Sequence, residues 1–564
     1  MERSPRNLVR WLFDAAAGPR NRFAPRWIFL RALAAIYFFA FLALFFQIRG
    51  LIGPNGILPA QNFLTAVERQ VPGALRFWYA PTLFWFSSSA HMMMAVVWIG
   101  LLASVVAFLN LWPRLCFFLC FVCFLSFVST AGDFSGYQSD GMLLEAGFLA
   151  LFFAPRGLWP GWGIHSSPPR AALFLLQWEW FRIYFESGIV KLLSGDPEWH
   201  HLTAMDEYYQ NGPLPTFVGW YVQHFPHWFH VGTAAGTLVM ELGIVWMLFL
   251  PRRIRLICFC IVTPWEIGVI LTANYAFLNY LVLFLGFLLL DDRSLFSWIP
   301  ARFRDPLEQV PHVESVAVAQ ERLSIVATTE ERFAPGRHDA VSDESPARLH
   351  PIPSGLLAHF RAFRIAVTAV LLTWIAYATT GELLRMPWPD FPLLTAPITA
   401  LEPFRIANQY GLFAVMTRGR YEIEFQGSND GQNWTPYLFR HKPQALDEAP
   451  GIYAPYQPRF DWNLWFASLT DFQNAEIVPL TEERLLEGDP DVLSLFKSNA
   501  FPNAPPKYVR AMLWQYWFTS MDEKHLNGDW WRRSLLGLYA PVLTRAPNGK
   551  FDVVQWPEPL PPHE

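Results

Sequence analysis

One apolar stretch of this chain carries four ionisable residues at helical spacings. It reads QWEWFRIYFESGIVKLL and contains Glu179, Arg182, Glu186 and Lys191. Residues three and four apart share one face of a helix, so the first three of these side chains form a polar face. Each charge costs about 2.5–3.5 kcal/mol at the centre of a membrane on insertion scales, so such groups have to be paired and buried. The pattern predicts either a salt bridge inside a helix bundle or a functional polar pocket.

Lys191 lies one turn from the end of this stretch, and two interpretations are open for it. A long lysine side chain near a helix end can extend its ammonium group to the membrane surface. A lysine that faces a cavity can instead act as a base. In that case Lys191 would be catalytic, with Glu186 and His200 beside it. Three further carboxylates in apolar stretches are expected to form hydrogen bonds inside the bundle: Glu145, Glu241 and Glu266.

A polar and aromatic loop, residues 194–228, follows directly. Its candidate functional residues are Asp196, Trp199, His200, His201, Asp206 and Glu207. A zinc site needs ligands that converge in space, and Pro226 interrupts the later histidines, so we predict neither a metal nor a cofactor. Long loops of this kind are usually functional. We therefore expect an ordered loop that its aromatic residues anchor.

The composition indicates which elements position these residues. Of the 564 residues, 53% are hydrophobic, 17% are aromatic and only 16% are charged, against about 25% charged in a soluble domain. The net charge of −4 gives no basic field for nucleic acid, so no nucleic-acid partner is expected. These values are typical of a protein that crosses a membrane several times.

Apolar stretches near 20 residues are long enough to cross a bilayer as helices. We predict nine spans, at residues 27–47, 91–112, 115–130, 142–153, 171–193, 229–250, 254–272, 275–290 and 363–380. Arginines are concentrated in the N-terminus and in alternate loops, whereas loops 131–141 and 194–230 contain no lysine or arginine. Because basic loops stay in the cytoplasm, this alternation places the N-terminus inside and the C-terminal part outside.

The sequence thus divides into five parts. They are a basic cytoplasmic N-terminus (1–26), a transmembrane bundle (27–293) with outer loops 49–90 and 194–228, a flexible cytoplasmic linker (294–360), a last transmembrane helix (361–380) and an extracytoplasmic domain (381–564).

The extracytoplasmic part has the pattern of a soluble β domain. Residues 420–426 (RYEIEFQ) alternate as in a strand, and SNDG marks a turn before a second strand at 434–440. Helices are expected at 481–486, 491–497 and 508–519. The fold class is therefore α+β, with a polytopic α-helical bundle followed by an antiparallel β-sandwich that carries added helices.

Four segments, in order, resemble the lipase maturation factor family. They are FESGIVKLLSGDPEWHHLTAMDEYYQNGPLPT, NQYGLFAVMTRGRYEIEFQGSNDGQNW, APYQPRFDWNLWFASL and NAFPNAPPKYVRAMLWQYWFT. The resemblance implies a membrane protein, not an enzyme, that assists folding and assembly of exported proteins such as lipases. Its partners would be membrane lipid and the client. It would lie in a bacterial cytoplasmic membrane with its C-terminal domain in the periplasm, or in the endoplasmic reticulum membrane of a eukaryote.

A weaker resemblance supports an alternative. The segment GIVKLL is similar to transmembrane proteins related to vitamin K-dependent carboxylase, which keep a lysine at the position of Lys191. This likeness implies an intramembrane enzyme that acts on a quinone or lipid-like substrate, with Lys191 as base.

The segment RFDWNLWF supplies candidate client contacts in the outer domain. These candidates are Asp461, Trp462, Trp465 and Phe466. They would bind apolar surface on an exported client. The other interpretation is a strand whose alternate aromatic side chains pack into the core of the sandwich.

Overall fold

The computed structural model describes residues 5–300, 304, 307 and 354–559. Residues 308–353 of the predicted linker lie outside the described residues. The longer helices are α1 (Pro5–Phe13), α2 (Phe23–Ile52), α3 (Ala60–Gln70), α4 (Ala90–Phe108), α5 (Pro113–Val128), α6 (Gln138–Phe153), α7 (Arg170–Leu193), α8 (His227–Leu242), α9 (Arg252–Thr272), α10 (Leu278–Gly286), α11 (Ser354–Arg385), α12 (Arg459–Ser468) and α13 (Ile477–Glu487). Short helices cap the loops, among them Pro197–His200, Tyr208–Asn211 and Phe217–Gln223 in the outer loop.

Within the described residues, five helical segments are long and apolar enough to cross a membrane. They are Phe23–Ile52, Ala90–Phe108, His227–Phe249, Arg252–Thr272 and His359–Arg385. Two shorter apolar segments, Pro113–Val128 and Leu278–Leu289, accompany them. Length and composition therefore support several spans but not clearly nine, because α6 has only 16 residues and α7 carries the ionisable face.

The helices run between two ends of the bundle, and arginines collect at one of them. Arg26 donates to the Ser166 carbonyl at 2.6 Å, and Arg22 donates to the Leu288 carbonyl at 3.1 Å. The N-terminal segment thereby meets the loop between α6 and α7 and the end of α10. We call this the basic end; the arginines here include Arg22, Arg26, Arg114, Arg156, Arg252 and Arg361.

The opposite end carries the C-terminal domain, and we call it the domain end. Gln47, near the end of α2, donates to the Gln457 carbonyl at 2.9 Å. Asn274, between α9 and α10, donates to the Gly451 carbonyl at 2.8 Å. The domain is thus fixed to several helices of the bundle at once.

One six-stranded antiparallel sheet organises the C-terminal domain. Its strands are β1 (Arg420–Ser428), β2 (Thr435–Pro436), β3 (Tyr508–Phe518), β4 (Trp531–Leu538), β5 (Val542–Arg545) and β6 (Phe551–Gln555). The order is β2-β1-β3-β5-β6, with β4 paired to the other half of the same β3 edge. The described strands form this single sheet, so two packed sheets of a sandwich are not confirmed.

Several sequence predictions for this domain need correction. Residues 508–518 form strand β3, not a helix, because all of β1 pairs with residues 508–516. The predicted strand at 434–440 is reduced to two residues, since Pro436 has no N–H for a ladder. The RFDWNLWF segment is helix α12 and not a strand. The helix predicted at 481–486 is confirmed within α13, whereas that at 491–497 shortens to Pro490–Leu493.

Candidate functional site

The polar face of α7 is completely buried in the bundle. Arg182 forms an ion pair with Glu145 on α6 and donates to the Asn408 carbonyl at 2.6 Å. Glu186 lies 3.9 Å from Arg182 and accepts a hydrogen bond of 2.6 Å from the Tyr410 backbone N–H. Of the two interpretations of this face, the geometry therefore favours the salt bridge.

The side chains of Tyr410 and Glu179 complete this buried network. The Tyr410 hydroxyl donates to Glu145 at 2.8 Å, and the Arg182 guanidinium lies 5.0 Å from the centre of the Tyr410 ring. Glu179 is also fully buried, one helical turn before Arg182, which pairs with Glu145 instead. The network joins α6, α7 and the chain that follows α11.

Lys191 is buried and does not extend to the surface, so the first interpretation of this residue was wrong. Its ammonium group lies 2.9 Å from both carboxylate oxygens of Glu241 on α8. It also donates to the carbonyls of Ser187 and Leu412, at 3.3 and 3.0 Å. An ammonium group has three hydrogens, and these acceptors account for all of them.

The predicted catalytic group is not assembled around Lys191. Glu186 binds the Tyr410 N–H, and the His200 ring nitrogen Nδ1 lies 2.8 Å from the Asp196 carbonyl in its own loop. The carboxylate beside Lys191 is Glu241, which sequence reasoning had placed only in a general hydrogen-bonding role.

The outer loop is ordered by contacts with residues 405–420, which we call the connecting segment. Asp196 accepts from the Met416 N–H at 2.7 Å, and the Trp199 indole donates to the Phe413 carbonyl at 2.9 Å. His200 and His201 are exposed. Asp206 lies 2.9 Å from a ring nitrogen of His227, and Glu207 accepts from Asn211 at 3.2 Å. No group of three or more His, Cys, Asp or Glu in the described part of the chain could hold a metal ion.

The connecting segment also ends in a buried arginine. Arg420 begins β1 and donates to the carbonyls of Gln210 and Pro213 in the outer loop, at 3.0 and 3.1 Å. It pairs with Glu422 in its own strand. Sequence reasoning recognised NQYGLFAVMTRGRYEIEFQ as a signature but did not assign these contacts, since they depend on which loop the segment crosses.

A buried ion pair also connects the domain to the bundle. Both terminal nitrogens of Arg459 lie 2.7 Å from the carboxylate oxygens of Asp140, at the start of α6. Neither side chain is exposed by more than 1%. Arg459 also donates to the Phe134 carbonyl at 2.7 Å. In the sequence, Arg459 stands directly before the aromatic segment FDWNLWF, but the ion pair with Asp140 was not predicted from it.

The four candidate client contacts occupy different surroundings on α12. Asp461 is buried and accepts from the backbone N–H groups of His441 and Lys442. Trp462 and Trp465 are buried as well, at 8% and 7% exposure, whereas Phe466 is 45% exposed. Phe466 lies on a surface groove of about 340 Å³ that Tyr137, Asn463 and Thr470 also line.

The chain matches two family models. Residues 24–297 match the lipase maturation factor transmembrane domain, and residues 406–541 match the lipase maturation factor C-terminal domain. The second match includes the connecting segment from residue 406, the sheet through β4 and helices α12 and α13.

Known proteins match over most of their length. A chicken (Gallus gallus) protein named lipase maturation factor 2 is 32% identical and covers 92% of this chain and 81% of its own. Lipase maturation factor 2 of Homo sapiens is 30% identical (92% and 82%), and lipase maturation factor 1 of Bos taurus is 29% identical (95% and 92%). No solved structure matches. These relatives are vertebrate, so the expectation of a bacterial membrane gains no support, and neither does the carboxylase-like alternative.

Proposed function

The chain belongs to the lipase maturation factor family, and we propose that it assists folding or assembly of exported proteins, lipases among them, from its C-terminal domain. The observation that carries this proposal is the attachment of that domain through buried polar contacts. Arg459, Arg182 and Arg420 each connect it to the bundle or the outer loop through buried polar contacts. A domain held in this way stays close to the membrane, where a client emerges.

We propose that the bundle crosses the membrane nine times, through α2 and α4–α11. Support comes from the alternation of successive helices between the basic end and the domain end. Basic loops remain on the cytoplasmic side, so the arginines of the basic end favour a cytoplasmic N-terminus. The C-terminal domain then lies on the lumenal side of the endoplasmic reticulum membrane.

For client contact we propose the groove beside Phe466. An exposed aromatic side chain next to a groove offers apolar area to an unfolded segment. The other three candidates are largely buried: Asp461, Trp462 and Trp465. In this proposal they pack α12 into the domain and thereby fix the position of Phe466.

The test is complementation in cells from which the endogenous maturation factors have been deleted. The cells secrete a lipase, and the measurement is the activity and mass of lipase in the medium. The full chain should restore active lipase, and Phe466→Asp should reduce the recovery. Leu526→Asp is the matched control, because Leu526 is 83% exposed elsewhere in the same domain.

Two results would contradict the proposal. The first is that the chain is inserted in the membrane and stable, yet the cells secrete no more active lipase, or any other exported protein, than cells without it. The other, which concerns the groove alone, is equal recovery with Phe466→Asp and Leu526→Asp.

A further inference from the structure

A cavity of about 580 Å³ lies beside Lys191, enclosed by α7, α8, α9 and α10. Its walls are mostly apolar and include Ile183, Met240, Trp265, Val269 and Val282. Small-molecule sites typically have volumes of about 300–1,000 Å³ and apolar walls with a few polar groups. The cavity therefore has the size and character of a binding site for one small ligand.

Several polar side chains line the cavity, and the Asn279 amide is one that lacks a hydrogen-bond partner among the described residues. Lys191 and Glu241 satisfy each other, and the Tyr184 hydroxyl donates to Glu266 at 2.5 Å. Asn279 is only 6% exposed, and its side-chain nitrogen has no hydrogen-bond partner within the described residues. A buried donor without an acceptor is unfavourable. An acceptor on a bound ligand would remove that penalty.

The cavity has an opening towards lipid. Helices α8 and α9 follow each other in the chain, but their backbones approach each other at few points, and the Trp265 ring of α9 lies between them against Gly236 of α8. Gly268 borders the cavity, and a Cβ atom added there would meet nothing within 4 Å. Next to this gap, Ile261 lines the cavity and is also an exposed apolar side chain on the surface of the bundle. Such a surface faces hydrocarbon in a membrane, so a ligand would enter from the bilayer.

Towards the domain end the cavity is covered. Trp199, Met205 and Tyr208 of the outer loop and Phe413 of the connecting segment line it there. The same segments hold the C-terminal domain in place, so a ligand would contact both the bundle and the segments that attach the domain.

The charges around the cavity indicate which head group fits. Lys191 carries one positive charge, whereas Glu241 and Glu266 are two carboxylates. A second anion in this space would meet repulsion from Glu266, which forms no ion pair within the described part of the chain. An uncharged head group with hydroxyl and carbonyl oxygens can instead accept from Asn279 and donate to Glu266.

We propose that this cavity binds a neutral single-chain amphiphile of the monoacylglycerol type, which enters from the bilayer between α8 and α9. This ligand site is a separate property from client maturation. It would make the attachment of the C-terminal domain sensitive to the lipid around the bundle.

The experiment uses the full-length protein in phosphatidylcholine nanodiscs with a monoacylglycerol whose chain carries a diazirine. After irradiation, cross-linked peptides are identified by mass spectrometry. We expect labelling on α8 and α9, and we expect excess unlabelled monoolein to reduce it about tenfold, with oleate much less effective. Labelling that monoolein does not reduce would indicate bulk lipid and overturn the proposal. Stronger competition by oleate would overturn the neutral head group.

Two variants of α8 form a matched pair for this assay. Thr237 lines the cavity, whereas Val239 is 59% exposed on the outer surface of the same helix. Thr237→Trp should fill the space and lower labelling about tenfold, and Val239→Trp should leave it unchanged. Equal labelling in both would overturn the proposal.

A smaller substitution covers the case in which Thr237→Trp does not fold. Asn279→Leu removes the unpartnered donor without adding bulk. It should weaken competition by monoolein severalfold while the protein remains monodisperse. Unchanged competition would count against the assigned head-group contact.

Discussion

Two of the buried charge clusters described above differ in their surroundings. At the attachment of the C-terminal domain, Arg459 pairs with Asp140 and Arg182 with Glu145, and each arginine also donates to a backbone carbonyl. Beside the cavity, Lys191 and Glu241 pair with each other next to about 580 Å³ of open volume. Both sets are buried and ionisable, so charge and burial alone do not distinguish them.

The difference teaches that open volume, rather than an unpartnered atom alone, marks a candidate ligand site, because buried atoms without a hydrogen-bond partner occur in both sets. The Arg459–Asp140 pair joins residues that are 319 positions apart in the chain, so it stabilises the attachment of the domain to the bundle. Beside the cavity, the Asn279 amide has no hydrogen-bond partner among the described residues, and we propose that a ligand occupies this space. The two clusters should therefore lose different amounts of stability when one of their charges is removed.

Arg459→Met should cause the largest loss of stability, because it leaves Asp140 buried without its cation. Removing one partner of a buried ion pair costs about 3–5 kcal/mol. The measurement is thermal unfolding of the detergent-solubilised protein. Arg459→Met combined with Asp140→Leu is the control, and it should recover most of the loss, since an apolar pair replaces the ions. A single variant as stable as the wild type would show that the pair does not hold the domain.

Lys191→Met should destabilise less, by about 1–3 kcal/mol. Glu241 then loses its cation but borders a cavity in which it can take up a proton or a water molecule. The same unfolding assay compares the two variants directly. A loss as large as that of Arg459→Met would mean that the Lys191–Glu241 pair belongs to the structural set after all.

Glu482→Gln tests a buried acid that has no cation partner among the described residues. Glu482 lies in α13 and is fully buried, and burial raises the pKa of its carboxyl well above the usual value. The folded state therefore holds this proton more tightly than the unfolded state. This contribution to stability is complete at pH values below the unfolded pKa and is lost as the pH rises towards the folded pKa.

The wild-type protein should accordingly lose stability between pH 5 and pH 8 by up to about 1.4 kcal/mol per pH unit. Glu482→Gln should flatten this slope and unfold at a higher temperature than wild type at pH 8. Unfolding curves at several pH values measure both effects. Identical slopes would refute the assignment.

Several features of the fold were predictable from local patterns in the sequence. The apolar stretches predicted the helical bundle, the arginines predicted its basic end, and spacing predicted the polar face of α7. Partners of the buried charges were not predictable, because Glu145 and Glu241 come from other helices and Asp140 lies 319 residues from Arg459.

Strand β3 shows why local patterns also fail. The segment YVRAMLWQYWF is apolar on most positions and has no clear period, so it was predicted as a helix. Its pairing with β1 along one edge and with β4 and β5 along the other decides the conformation. Tertiary context of this kind overrides local preference.

The side of the membrane on which the domain lies is the central claim, and the native sequence offers a direct test. Asn433–Trp434–Thr435 is an N-glycosylation acceptor at an exposed turn of the domain. Lys550→Thr creates a second acceptor at Asn548, also in an exposed turn, and His165→Asn creates one at the basic end. The chain is expressed in mammalian cells, and glycans are detected by endoglycosidase H shifts. We predict glycans at Asn433 and Asn548 and none at position 165. A glycan at position 165 alone would place the domain in the cytoplasm and contradict the maturation function.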